Sequence, residues 1–256
     1  MSRPDDQSNS NPSGSILEAS SDVEYGNDIK VRAGLRIINS EVYAGGPILI
    51  EFSIENRGQT PYYLAFGGDR VKLRPTYFDF SASLEGADMK LVDPAAGTPE
   101  LGGIGGTTEV KPGEPYYQTI ILNQFLSLEE VRKVLKEGEA GVLQIRCKRA
   151  LAIATTSMQA LQMVTDIPVV EEVLRVKVSR NDAALNTLMT QLADELKNDW
   201  ASTPTSPVNQ ERAITQLTAL RIPVAVPYLQ SLVEHPDPGI QMRVQRALAM
   251  ITRQDD

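Results

Sequence analysis

"EVYAGGPILIEFSIENRGQTPYYLAF", Glu41 to Phe66, decides how the chain is read. Ile48, Ile50, Phe52 and Ile54 recur at every second position, so one face of an extended strand carries all four and a sheet must bury that face. The triplet Gly45-Gly46-Pro47 before the run and "ENRGQTP" after it are turn chemistry, and "YYLAF" resumes as the next strand.

The same scheme spreads outward. "VRAGLRIINS" alternates upstream. Downstream, Tyr77 to Leu84 reads as a strand, Glu85-Gly86 as a hairpin turn, and Met89 to Val92 as the return. "EVKPGEPYYQTIIL" sets a Pro-Gly turn between two more strands, and "GVLQIRCKRALAIA" and "VVEEVLRVKVS" supply the last two. Only "SLEEVRKVLKEG" breaks the period: Ser127 reads as an N-cap with Glu130 as its capping-box partner, and Gly138 as the stop. Seven or eight strands without alternating helices predict an antiparallel β-sandwich and exclude a βαβ sheet.

After Ser179 the period becomes helical. Asp182 is expected to cap a helix carrying Leu185, Leu188, Leu192 and Leu196 on one face, ending near Trp200 before "ASTPTSPV". Three shorter helices follow, around Ala213 to Leu220, Val226 to Val233 and Ile240 to Ile251. Pro223 suits a first turn, whereas Pro227 one turn later would break more. Residues 1–28, rich in Ser, Asn, Asp and Pro, are predicted disordered. The expected organisation is a tail over 1–28, a sandwich over 29–180 and a helical segment over 181–256.

Composition narrows the function. The 256-residue chain carries a net charge of −8, which argues against a nucleic-acid partner, since phosphate recognition needs a basic face. Its densest basic run, Arg146 to Ala150, alternates with Ile145, Cys147 and Leu151 and fits the solvent face of a strand. No apolar run approaches about 18 residues, so no membrane insertion is expected. As written the chain reads as cytoplasmic, or as an envelope or secreted protein if an upstream signal has been removed.

Chemistry is sparse. His235 is the only histidine and falls in the inter-helix turn "HPDPG", where a structural role is favoured over a catalytic one. Cys147 is the only cysteine, so disulfides are excluded, and one His with one distant Cys cannot build a zinc set. "LGGIGGTTE", Leu101 to Glu109, lacks the Lys-Ser/Thr ending of a phosphate loop and is expected to be a loop between strands. Asp79, Asp88 and Asp93 do not have calcium-loop spacing and read as solvated surface. No catalytic, metal or cofactor residue is therefore expected, and the chain is predicted not to be an enzyme. A hydrolase with paired carboxylates would require a pocket holding two of them.

Two resemblances carry further implications. Glu211 to Ile251, through Val224 to Pro227, Leu229, Leu232, His235 to Pro238, Ile240, Ala247 and Leu248, resembles bacterial HEAT-like repeats, departing from them at Gln241 and Val244. "GGPILIEFSIENRGQTPYYL" and "VKPGEPYYQTIIL" look like segments of bacterial immunoglobulin-like domains. Together they imply an all-β immunoglobulin-like sandwich followed by an all-α HEAT-like segment, in which the last helix caps a three- or four-helix unit.

The expected function is a non-catalytic protein-interaction or scaffold protein with a protein partner, no cofactor and an open oligomeric state. The alternative is an envelope or extracellular ligand-binding module. "ATTSMQALQMVTDIPVV", Ala154 to Val170, has two readings: a hairpin folding its methionines inward, or a protruding contact loop. The candidate partner-binding residues are Met158, Leu161 and Met163 from that segment, with Arg243 and Arg246 from the polar face of the last helix.

Overall fold

The computed structural model describes residues 19–25, 29–69, 72, 74–98, 103, 105–162, 167–202 and 207–252. In chain order the strands and helices are β1 (Ala19–Tyr25), β2 (Ile29–Ile37), β3 (Leu49–Asn56), β4 (Tyr62–Asp69), β5 (Arg74–Pro75), β6 (Phe78–Leu84), β7 (Gly105–Val110) and β8 (Pro115–Ile121). There follow α1 (Glu129–Val134), β9 (Ala140–Ala150), β10 (Ile153–Ala154), α2 (Ser157–Gln162) and β11 (Val169–Ser179), and then α3 (Asp182–Ser202), α4 (Pro207–Ala219), α5 (Val226–Gln230) and α6 (Pro238–Thr252).

The strands fall into three antiparallel sheets. The first has the order β1-β2-β3-β8 and the second β11-β9-β6, while the third centres on β4, which pairs with β7, β10 and β5. The run that opened the reading behaves as its period demands: Ile48, Ile50, Phe52 and Ile54 are all fully buried. They meet Leu143, Ile145, Cys147 and Leu174 of the second sheet in one core. The chain then leaves the first sheet through Asn56. Its amide donates to the carbonyls of Thr60 and Val110, both at 2.9 Å, and its oxygen accepts from the N–H of Gly58, so a single buried side chain fixes the turn into β4 and ties down β7.

An all-β immunoglobulin-like sandwich with an all-α HEAT-like segment is not what forms. Helix accounts for 32% and strand for 37% of a mixed architecture, with α1 and α2 interrupting three sheets rather than two. The stretch read as one strand, Gly141 to Ala154, breaks at Leu151-Ala152. Leu151 N–H bonds the Pro168 carbonyl at 2.7 Å, and the Ala152 carbonyl accepts from Ala65 N–H at 2.8 Å, so the chain passes from the second sheet into the third. Two smaller corrections concern the expected tail and the loop at 101–109. Ala19–Tyr25 forms β1 on β2, and Gly105–Val110 forms β7 on β4.

The helical end closes on itself as a unit of α3 to α6. α3 packs on α4 and α5, and α6 on α4 and α5, around one aliphatic core. α3 contributes the expected Leu185, Leu192 and Leu196 with a half-buried Leu188, and adds the buried Met189 and Ala193 to the stripe. Pro227 costs little because a 3-10 turn over Pro223–Ala225 precedes it and places it in the first turn of α5. The caps also shift by a residue or two. Asn181, not Asp182, caps α3 through the Ala184 N–H, and α1 begins at Glu129 with no side-chain cap, so Ser127 is not used as one.

Helices and sheets meet where the chain crosses between them. Gly45 has φ +85°, and a β-carbon there would lie 3.1 Å from Ile222 Cδ1 and 3.2 Å from Arg132 Cδ, so glycine permits both the turn and the contact. Buried Arg221, at φ 49°, reaches back to donate to the Lys72 carbonyl at 3.0 Å. Arg132 on α1 pairs with Asp182 at the start of α3 at 2.9 Å.

Candidate interaction surface

α2 occupies the segment left open between a hairpin and a loop. Thr156 is its N-cap, accepting the Gln159 N–H at 3.3 Å, and Thr155 donates to the Gln159 side chain at 3.4 Å. Beneath the helix, Ala160 packs with Ala65, Ala152 and Ala154 in a small alanine cluster backed by Tyr63, Tyr77 and Ile167. These short side chains let the helix seat closely on β4 and β10, and a 2.6 Å hydrogen bond between Thr107 and Ser157 fastens it to β7. Burying Ala160 turns the larger apolar residues outward. Met158 is 64% and Leu161 45% exposed, and their spacing of three places them on one helix face.

The neighbouring sheet extends this patch. Phe66, 37% exposed, lies opposite Gly106, where a β-carbon would be 2.6 Å from the ring, so the absence of a side chain makes the ring's seat. At the adjoining Gly105 a β-carbon would stand 3.9 Å from Leu161 Cδ2. Phe66, Leu161 and Met158 thus line an apolar surface over a double-glycine floor.

The remaining candidates lie elsewhere. Met163 is outside the described residues. Arg243 on α6 pairs with Glu211 on α4 at 2.7 Å, and Arg246 is exposed on the same helix. α2 packs on the third sheet and α6 on its helical neighbours, so the expected residues divide between two surfaces and do not form one site.

His235, Cys147 and Asp93, singled out for their chemistry, make structural contacts. His235 is buried: Nδ1 accepts from Asp237 N–H and Nε2 faces the Leu196 carbonyl, both at 3.0 Å, which fixes the Nε2–H tautomer and joins the turn before α6 to α3. Cys147 is fully buried, and burial pushes its thiol well above the usual range, away from a reactive thiolate. Asp93 pairs with Arg74 at 2.8 Å and caps its own turn through Ala95 N–H. Among the described residues no three His, Cys, Asp or Glu converge on a metal position, and no helix is long and apolar enough to cross a membrane.

Arg149 belongs to the basic run read as the solvent face of a strand, and for this residue that reading is overturned. It is fully buried on β9, where all three sheets meet. The guanidinium donates to the carbonyls of Ala150 and, at 3.2 Å, Ala65, and lies 4.7 Å from the Phe78 ring, 5.1 Å from Tyr77 and 5.5 Å from Phe52. Burial lowers its pKa to about 10, and among the described residues no carboxylate pairs with it to offset the cost. Carbonyl dipoles and aromatic faces stabilise the cation in place of an anion. Arg149 reaches the Ala65 carbonyl on β4, so it pins the strand that carries Phe66 and supports α2.

No family model matches the sequence, and no curated protein matches it significantly. Among solved structures, a protein from Archaeoglobus fulgidus is 9% identical over 65% of this chain and 98% of its own, with a TM-score of 0.27. A candidate lipoprotein of Bacillus subtilis, ycdA, is 12% identical over 88% of this chain and 62% of its own, with a TM-score of 0.28. Similarity at that level bears on neither fold nor function.

Proposed function

We propose that the chain is a non-catalytic protein-interaction or scaffold protein that contacts a protein partner through the α2 patch. The observation carrying this reading is that Met158 and Leu161 stand exposed on a helix anchored by a cap, an alanine seat and a hydrogen bond to β7. A fixed apolar patch loses little conformational entropy on association, and methionine adapts to the surface it meets. The non-catalytic part of the reading is supported by His235 and Cys147, both committed to structural contacts.

The test is affinity purification with mass spectrometry from the source cells, comparing wild type, M158D/L161D and R243E/R246E. M158D/L161D changes exposed positions and should melt within about 0.5 kcal/mol of wild type, whereas R243E/R246E also breaks the Arg243–Glu211 pair and should lose about 1 kcal/mol. The reading expects a partner lost from M158D/L161D and kept by R243E/R246E. The reverse pattern would move the contact to the helical unit and overturn it.

A further inference from the structure

The outer face of the second sheet carries a site of a different kind. Residues directly opposite one another on paired strands share a face. Ser81, Arg146 and Val173 form one such row across β6, β9 and β11, and Ser83, Gln144 and Arg175 form the next. Lys90 extends the second row, because an antiparallel bridge sets it opposite Ser83 while Leu91 N–H bonds the Ala82 carbonyl and the Leu91 side chain turns inward.

These residues enclose a groove of about 250 Å³ lined by Ser81, Ser83, Lys90, Gln144, Arg146 and Val173. Every polar side chain in it has a donor, two are cationic and none is a carboxylate. Lys90 makes no ion pair among the described residues. Arg146 meets Glu171 only at 3.5 Å, and Lys148 is closer to that carboxylate at 3.1 Å. The groove on the outer face of the first sheet is larger, about 310 Å³, and its charge is balanced: Arg32 and Arg36 stand with Glu55, and Arg36 is held by Glu51 at 2.7 Å.

A groove lined by two cations and no carboxylate stands out on a chain of net charge −8. We propose that it binds the oxyanion of a small phosphate monoester, with the Lys90 ammonium and Arg146 guanidinium meeting the charge and the Ser81 and Ser83 hydroxyls and Gln144 amide completing the contacts. Guanidinium and ammonium donors make charge-assisted hydrogen bonds to phosphate oxygens. The volume, at the small end for ligand sites, suits a compact ester, and Val173 offers an apolar wall to its carbon portion. An extended polyanion is disfavoured by the acidic remainder of the molecule. This site goes beyond the interaction surface on α2 and does not depend on it.

The test is a titration of full-length protein with glycerol 1-phosphate at constant ionic strength, followed by backbone amide NMR shifts, with glycerol as the neutral control. Lys90→Ala, Arg146→Gln and Lys177→Ala are compared with wild type, Lys177 lying on β11 outside the groove. Saturating shifts confined to residues around 81–83, 90 and 144–146 are expected, with millimolar affinity. Lys90→Ala and Arg146→Gln should each weaken binding by about tenfold, and Lys177→Ala by less than twofold. Non-saturating shifts spread over the surface, equal shifts with glycerol, or a loss from Lys177→Ala matching that from Lys90→Ala would overturn the proposal. Retained binding in both groove variants would overturn it as well.

Discussion

The sheet region and the helical unit differ in where their buried polar groups lie: at the centre of the sheets in one, at the rim of an aliphatic core in the other. Where the three sheets meet, a charged arginine is enclosed without a counter-charge and is stabilised by carbonyls and ring faces. In the helical unit the buried His235 bridges two main-chain groups, Arg221 reaches out to the Lys72 carbonyl beyond the helices, and the interior between the helices is aliphatic. The difference follows from geometry. Helices with apolar stripes close around one another through shape and period alone. Among the described residues the three sheets share only isolated main-chain bonds, such as Ala44 and Val42 with Ser179, so much of their relative placement falls to side chains such as Arg149 and Asn56, which bond a strand of another sheet.

Arg149→Ala breaks this comparison most severely. It deletes the large side chain, its two carbonyl contacts and three ring contacts, and should cost roughly 4 kcal/mol in denaturant unfolding. Arg149→Met keeps much of the volume and discards a charge that is expensive to bury, so it should be markedly more stable than the alanine variant. The folded-state pKa is depressed to about 10, so the cost of the buried charge is present at every pH below that value and is relieved only as pH rises through it. Alanine at 149 costing under about 1 kcal/mol would remove the junction from the account.

Leu217→Ala probes the other region. It empties a fully buried position where the helices meet and should cost about 3 kcal/mol. Repacking by the adaptable Met189 nearby in the same core would show as a smaller loss. His235→Ala comes next, at roughly 2 kcal/mol, because it removes a buried side chain and leaves the Leu196 carbonyl without its donor and the half-buried Asp237 N–H without its acceptor. Hydrogen exchange should report faster exchange at Asp237 and the start of α6, with the sheets unchanged.

Asp182→Asn, at the contact between the two regions, has the smallest effect. Its hydrogen bond from Arg132 holds the carboxyl below its usual range, with Arg180 contributing. The group is partly exposed, so the loss should stay below about 1 kcal/mol. A depressed folded-state pKa stabilises fully above the unfolded value of about 3.9 and stops doing so as pH falls through the folded value. The gap between wild type and Asp182→Asn in thermal melts should therefore be constant near neutrality and close on acidification below about pH 4.

The same contrast explains what was legible in the sequence. Ile48 to Ile54 and the stripes of α4 and α6 announce themselves by period, and Gly45 by the turn it makes. The inward direction of Met189 follows from the period too, once α3 is required to meet its neighbours on a wider face than leucines alone define. The period also sets Arg149 inward with Ile145 and Cys147, but reading its basic run as a solvent face passes over it. It occupies an inward position in an alternating strand whose next residues suggest continuation, and only the break at Leu151-Ala152 reveals that a third sheet must be secured there. The α2 helix left a legible trace, Thr156 with Gln159 three residues on, which a reading for apolar content passes over. Phe66 and Gly106 are joined only by strand register, and nothing local marks that register.

Exposed methionines occur in both regions, Met158 on α2 and Met242 on α6, at 64% and 56% exposure. Replacing each in turn with a photoactivatable side chain in the source cells tests the interaction surface most directly. The account predicts a discrete crosslinked protein adduct from position 158 and none from 242. An adduct from 242 with none from 158 would contradict it and assign the contact to the helical unit.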